Sequence, residues 1–187
     1  LLHYFQPAYE SLLAARLLSQ RYRTLQEERA VLDTLPVMPS AARMLQEASH
    51  SSTVNLDFSL YLMEKVDNEE IQYCPALEIV LEQRAVTVQV LCQNTWYKHC
   101  GREMYYNLML PAPLRTIQAQ FECFYQQKAQ DNSSSSGLGA RRLTWCRSVG
   151  VVTMQFTSRP GVSFELRVSE PQAAVLYLFN TNSTKSR

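Results

Sequence analysis

Any chemistry in this 187-residue chain would have to come from very few side chains. The histidines are His3, His50 and His99, and the thiols are Cys74, Cys92, Cys100, Cys123 and Cys146. Cys92, His99 and Cys100 lie close together in the sequence, but structural zinc takes four ligands at recognisable spacing and this trio lacks a fourth. His99 and Cys100 have the residue types of a thiol nucleophile and its base. Adjacent residues rarely turn toward one another, however, and no motif supplies a third group to orient them. Five scattered cysteines with no Cys-x-x-Cys suggest reduced thiols rather than a disulfide framework. Gly137-Leu-Gly139 has the look of a phosphate loop but lacks the following Gly-Lys-Ser/Thr, so it reads as linker. Asn132-Ser-Ser134 and Asn182-Ser-Thr184 match the glycosylation sequon, but only as serine-rich stretches without a secretory signal. Arg21, Arg23, Arg29, Arg141 and Arg142 read as a solvated face. Tyr97, Tyr105 and Tyr106 offer aromatic surface to a partner or to a neighbouring helix. These residues imply no catalytic group, no metal and no cofactor.

The bulk composition allows a packed core and excludes some classes of function. Hydrophobic residues make up 46% of the chain, enough for a packed core, and the formal charge is +1. That near-balance lacks the basic field that holds nucleic acid. No window approaches about 18 uninterrupted apolar residues, the length that spans a membrane. No basic-then-apolar signal peptide opens the sequence. The chain starts inside an amphipathic pattern, which we read as a piece of a longer protein, cytoplasmic or nuclear.

The elements follow from periodicity. Leu2, Phe5, Tyr9, Leu12, Leu13 and Leu17 give a helix over 1–23, with Pro7 tolerable only in its first turn. Thr24-Leu-Gln-Glu27 is a capping box for a second helix with Leu25, Leu32 and Leu35 inward, stopped by Pro36 and Pro39. Ser40 can cap a third helix carrying Met44 and Leu45. Beyond Ser51-Ser52, the run Val54, Leu56, Phe58, Leu60, Leu62 fits period two and also helical spacing. Its helical neighbours favour helix. A short helix is expected over Pro75–Arg84. From Ala85 the pattern changes: Val86, Val88 and Val90 alternate with Thr87 and Gln89, the pattern of a strand. Leu110-Pro-Ala-Pro-Leu114 introduces a helix with Leu114, Ile117, Phe121, Phe124 and Tyr125 on one face. Asp131 to Gly139 reads as a flexible loop. Leu143 to Phe156 reads as two strand halves meeting at Gly150, Thr157 to Gly161 as a turn, and Val162 to Val168 as a half-buried strand. Ser169-Glu-Pro-Gln172 caps a short apolar helix from Ala173 to Phe179.

The expected class is α+β: a helical bundle followed by a small mixed sheet with flanking helices. The helical region is 1–84, the α/β subdomain 85–180 and the tail 181–187. A sheet this small has edges to protect, and the strands at Val86–Leu91 and Leu143–Phe156 carry few protective devices. A strand from another chain would complete it.

Several segments resemble one family. Arg141-Arg-Leu-Thr-Trp-Cys-Arg-Ser-Val-Gly150, followed by Val-Val-Thr-Met-Gln-Phe156, resembles the strand pair of cullins. Phe164-Glu-Leu-Arg-Val-Ser-Glu-Pro-Gln-Ala-Ala-Val-Leu-Tyr-Leu-Phe-Asn180 is similar to the cullin strand and helix that follow. Leu110 to Leu114 with Phe121-Glu-Cys-Phe-Tyr125 resembles the helix entered through Leu-Pro, and Val86 to Trp96 the strand that ends in tryptophan. Tyr4 to Leu18 resembles a helix of the cullin four-helix bundle. The order matches along nearly the whole chain. Departures at Trp96-Tyr97, where the family has Trp-Pro, in the inserted Ile71–Arg84 and in the long serine loop make the chain most like the large atypical cullins.

The resemblance implies a non-catalytic scaffold of a ubiquitin ligase. Its partner would be a RING-box protein whose N-terminal strand threads into the α/β sheet, with Val86, Val88, Val90, Leu143, Trp145, Val151 and Met154 around it. In the full complex it implies Skp1 with an F-box receptor, and a ubiquitin-conjugating enzyme held through the RING. The region bearing the family's NEDD8-acceptor lysine lies outside this sequence. The competing readings are an interaction module with no ligase role and a Cys100/His99 hydrolase.

Overall fold

The computed structural model describes residues 2–82, 86–100, 108–136, 142–157 and 161–182. Its elements run α1 (Leu2–Leu18), α2 (Leu25–Asp33), α3 (Pro39–Asp67), α4 (Pro75–Leu81), α5 (Gln93–Trp96), α6 (Ala112–Ser136), β1 (Val151–Thr157), β2 (Ser163–Ser169) and α7 (Glu170–Asn182). The expected α+β class holds, with an antiparallel β1–β2 pair as its sheet. The chain divides into two compact units. One comprises Leu1–Ala48, Leu91–Leu110 and Trp145–Arg187, and the other Ser49–Val90 and Pro111–Thr144.

The first unit is built on capped helices. Thr24 adopts an extended backbone, and its hydroxyl accepts the Glu27 N–H at 3.1 Å, as the capping box requires. An ion pair ties α1 to α2: Arg16 Nε and Nη2 donate to the two Glu28 carboxylate oxygens at 2.7 and 2.8 Å. The buried face of α1 is Leu13, Ala14 and Leu17. Leu12, assigned inward by its spacing, is 63% exposed, because the helix turns on the axis set by Leu13 and Leu17. These side chains pack with Leu32 of α2, with Met38, Ala41, Met44 and Leu45 at the start of α3, and with Trp96 and Cys100. Pro7 stands inside α1.

The second unit resolves the ambiguous run on α3. Val54, Phe58 and Leu62 are buried, whereas Leu56 and Leu60 are 62% and 64% exposed. The period-two pattern is thus half core and half surface, and helical spacing alone decides which half. Phe58 meets Phe121 of α6 edge-on at 5.0 Å between centroids and Phe124 at 5.4 Å. Ile117 of α6 and Leu77 and Val80 of α4 complete this core. Lys128 pairs with Asp57 and lies 5.7 Å from the Phe124 ring centroid.

Four expectations need correction. Ser40 does not cap a helix, and Ser51-Ser52 does not interrupt one: α3 runs unbroken from Pro39, whose missing N–H suits a first helical position. Asp131 to Ser136 continues α6, because nothing before Gly137 breaks a helix. Val86–Leu91 and Leu143–Val149 are not ladder strands, and strand begins only at Val151. The Ser169 cap stands as expected: its N–H and hydroxyl donate to Gln172 Oε1 at 3.0 and 3.1 Å. Gly161, at φ +97°, closes the described side of the hairpin turn. Residues 158–160 of that turn, Tyr105, Tyr106 and Gly137-Leu-Gly139 lie outside the described residues.

The helices α1 and α3 end the same way. After α1, Gln20 N–H reaches Leu17 O at 3.2 Å and Arg21 N–H reaches Arg16 O at 2.9 Å. After α3, Glu69 N–H reaches Val66 O at 3.0 Å and Glu70 N–H reaches Lys65 O at 2.9 Å. This doubled bond pattern puts Gln20 at φ 52° and Glu69 at φ 58°, where glycine is the usual occupant. A side chain there costs on the order of 1 kcal/mol. Gln20→Gly and Glu69→Gly should therefore each raise stability by about 0.5–1 kcal/mol in denaturant titration. Destabilisation by both would show that these turns are held by something other than their backbone bonds.

Candidate strand-docking segments

The valine segment is extended, and helix side chains supply its hydrogen bonds. Asn55 on α3 takes the Val88 N–H on its Oδ1 at 2.8 Å and donates its Nδ2 to Val88 O at 2.7 Å. The side-chain amide thus does what a neighbouring strand's peptide group would do. One turn earlier, the Ser51 hydroxyl accepts the Val90 N–H at 2.9 Å and donates to Val90 O at 3.3 Å. One turn earlier again, Glu47 Oε2 accepts the Cys92 N–H at 2.9 Å. The spacing makes this possible. Four residues of helix rise about 6 Å, and two residues of extended chain advance about 6.6 Å. Positions 47, 51 and 55 therefore keep step with 92, 90 and 88.

Glu47 is the hub of the first unit's polar interior. Its carboxylate also accepts the Trp96 indole N–H at 2.7 Å and the Thr95 hydroxyl at 3.3 Å, and Arg43 Nε lies 3.3 Å away. Trp96 is buried, so its N–H needs a partner inside the protein. Spacing of polar residues on an apolar helix is the one sequence signal for this file: Glu47, Ser51 and Asn55 recur every four residues.

The expected site residues are distributed between the units. Val86, Val88 and Val90 share the extended segment of the second unit, partly buried, and Leu143 belongs to that unit too. Trp145, Val151 and Met154 belong to the first. The Arg147 guanidinium lies 5.6 Å from the Trp145 ring centroid and pairs with Glu170 at 3.1 Å. Burial pushes the Glu170 carboxyl above its usual range, and the Arg147 hydrogen bond and charge pull it back in part. The same carboxylate explains Gly150: a Cβ built there would stand 2.0 Å from Glu170 Oε1.

The hairpin has a definite register, with Val151 opposite Ser169, Met154 opposite Leu166 and Phe156 opposite Phe164. Alternation places Val152, Met154 and Phe156 on one face with Val168, Leu166 and Phe164, and puts Val151 on the other. The apolar face ends in the Phe156–Phe164 pair, 5.0 Å between centroids, with both rings more than two-fifths exposed. Among the described residues each strand pairs only with the other, so each keeps one outer edge of backbone groups without a ladder partner.

No helix among the described residues is long and apolar enough to cross a membrane. Also among them, no three His, Cys, Asp or Glu side chains converge as a metal site. Cys92 stands at the N-cap position of α5 with no side-chain capping bond, and Cys100 is buried. A family model for the cullin alpha+beta domain matches residues 90–187, more than half of the chain. The chain belongs to the cullin family. No curated protein matches it. Cullins are in general non-catalytic scaffolds. In this cullin the matched region opens at Val90, the residue held by Ser51, and takes in α5, α6, the hairpin and α7.

Replacing Asn55 tests the side-chain ladder. Asn55→Ala strands both backbone groups of Val88 and should cost roughly 2–3 kcal/mol. Amide exchange should accelerate at Val88 but not at Cys92, whose partner is Glu47. Equal acceleration at both, or at neither, contradicts the ladder.

Proposed function

We propose that this cullin chain is a scaffold fragment of a cullin-RING ubiquitin ligase, binding a RING-box subunit by strand addition. The supporting observation is the two-stranded hairpin, whose outer edges have no ladder partner among the described residues, in a chain whose matched region is the cullin alpha+beta domain. A lone two-stranded ribbon is marginal in water, so a further strand would add both hydrogen bonds and apolar cover. On this reading, Val86, Val88 and Val90 contribute from the extended segment, and Leu143, Trp145, Val151 and Met154 from the segment through β1. Residues 1–84 serve as part of the helical bundle, 85–180 as the α/β subdomain and 181–187 as a tail. The departures at Trp96-Tyr97 and Ile71–Arg84 favour an atypical large cullin of the cullin-seven or cullin-nine type.

The scaffold itself performs no bond chemistry in this reading. A ubiquitin-conjugating enzyme held by the RING carries the reaction, with Skp1 and an F-box receptor bringing substrate in the complete assembly. The scaffold raises the effective concentration of one against the other, and that requires rigidity rather than an active site. The work belongs in the cytoplasm or nucleus, with no nucleic acid or membrane as partner.

Coexpression with a RING-box protein should yield a stoichiometric complex. Val151→Glu or Val88→Glu should weaken it at least about thirtyfold, equivalent to about 2 kcal/mol. Undiminished copurification of both variants counts against the assignment. A complex that forms but supports no ubiquitin transfer would favour an interaction module outside any ligase.

A further inference from the structure

The geometry points to Cys100 and Cys146 as a modification site: a dithiol pair that two-electron oxidants of the peroxide class convert to a disulfide. The inference is independent of strand addition, because it rests on sulfur placement within the first unit alone. Cys100 and Cys146 are 46 positions apart in the chain but meet in the fold. The Cys146 thiol points at the Cys100 carbonyl at 3.9 Å and lies 3.3 Å from the Ser148 hydroxyl. That hydroxyl in turn donates to Cys100 O at 2.7 Å, which pins the two segments together on either side of the sulfurs. A disulfide needs Cβ atoms within about 3.5–4.5 Å, and these contacts lay the Cys146 sulfur directly against residue Cys100.

Each partner is firmly placed. The Cys100 N–H bonds Trp96 O at 2.9 Å, and Trp96 is anchored by Glu47. Cys146 packs with Val149 against the same apolar cluster that contains Cys100. The two sulfurs differ in access. Cys100 is 5% exposed, whereas Cys146 is partly open to solvent, so reagent meets Cys146 first. Burial, then the neighbouring Cys146, push the Cys100 thiol up to about 12, so Cys100 stays protonated in neutral solution.

The chemistry balances in two steps. The Cys146 sulfur attacks the peroxide O–O bond; an S–O bond forms, the O–O bond breaks and water leaves, giving a sulfenic acid. The Cys100 sulfur then displaces that oxygen; the S–S bond forms, the S–O bond breaks and a second water leaves. Both thiol protons end in water, and the two sulfurs together give two electrons to the peroxide. Cys123 is exposed on α6, so it serves as an internal comparison that can be oxidised but not crosslinked in this way.

The test treats the chain with hydrogen peroxide and maps it by mass spectrometry without reduction. The expected product has lost two hydrogens and yields one dominant crosslinked peptide pair joining Cys100 to Cys146. Its thermal midpoint should rise by roughly 5–10 °C and return on reduction. Cys146→Ser, at the more exposed position, should abolish both the crosslink and the reversible rise while leaving the far-ultraviolet spectrum unchanged. If Cys146→Ser fails to fold, Cys146→Ala with the same mapping replaces it. Oxidation of Cys123 with no Cys100–Cys146 link, or crosslinks scattered among all five cysteines, would overturn the inference.

Discussion

Three polar side chains on α3, one helical turn apart, hold the extended chain from Val88 to Cys92, and much else follows from that constraint. Asn55 and Ser51 give Val88 and Val90 the backbone partners that a sheet would otherwise have to supply. Glu47 does the same for Cys92 and also takes the Trp96 indole N–H. A buried N–H without a partner costs a few kcal/mol, so this file of acceptors specifies where the chain lies as much as apolar packing does. Packing can tolerate a rotated or slipped segment; a two-pronged amide and a hydroxyl set in register cannot.

The same constraint shapes what the valine segment offers a partner. Successive peptide groups of an extended chain point to opposite edges. With Val88 and Val90 bonded to α3, that edge of the segment is already used, and the helix plays the part of a neighbouring strand. The hairpin is in a different situation. Its two strands satisfy each other and end in a half-exposed aromatic pair, with backbone groups open on both outer edges among the described residues. For a scaffold this is a consistent division: one segment is satisfied internally, and the ribbon can accept more.

Glycine and its neighbours show how a sequence signal can be right for another reason. Gly150 invited a bend by its freedom of backbone, and the chain does turn just before β1. A Cβ there would also have to displace the Glu170 carboxylate, which pairs with Arg147. Conversely, Gln20 and Glu69 sit where glycine would be expected, so those helix ends carry no glycine signature in the sequence.

Local physics made much of this cullin legible without coordinates. The caps at Thr24 and Ser169, the buried face of Ile117, Phe121 and Phe124, and the strand at 163–169 depend on residues within a few positions of one another. The order of motifs was enough to place the family. Only the tertiary structure decided that Val86–Val90 would not join a ladder, that Ser51 and Asn55 would continue one helix rather than divide two, and that Cys100 would meet Cys146. In each case the deciding partner is a backbone or side-chain group more than thirty positions away. Alternating valines fit a helix-braced segment as well as a sheet, and spacing along the chain cannot tell which distant donor or acceptor will satisfy them.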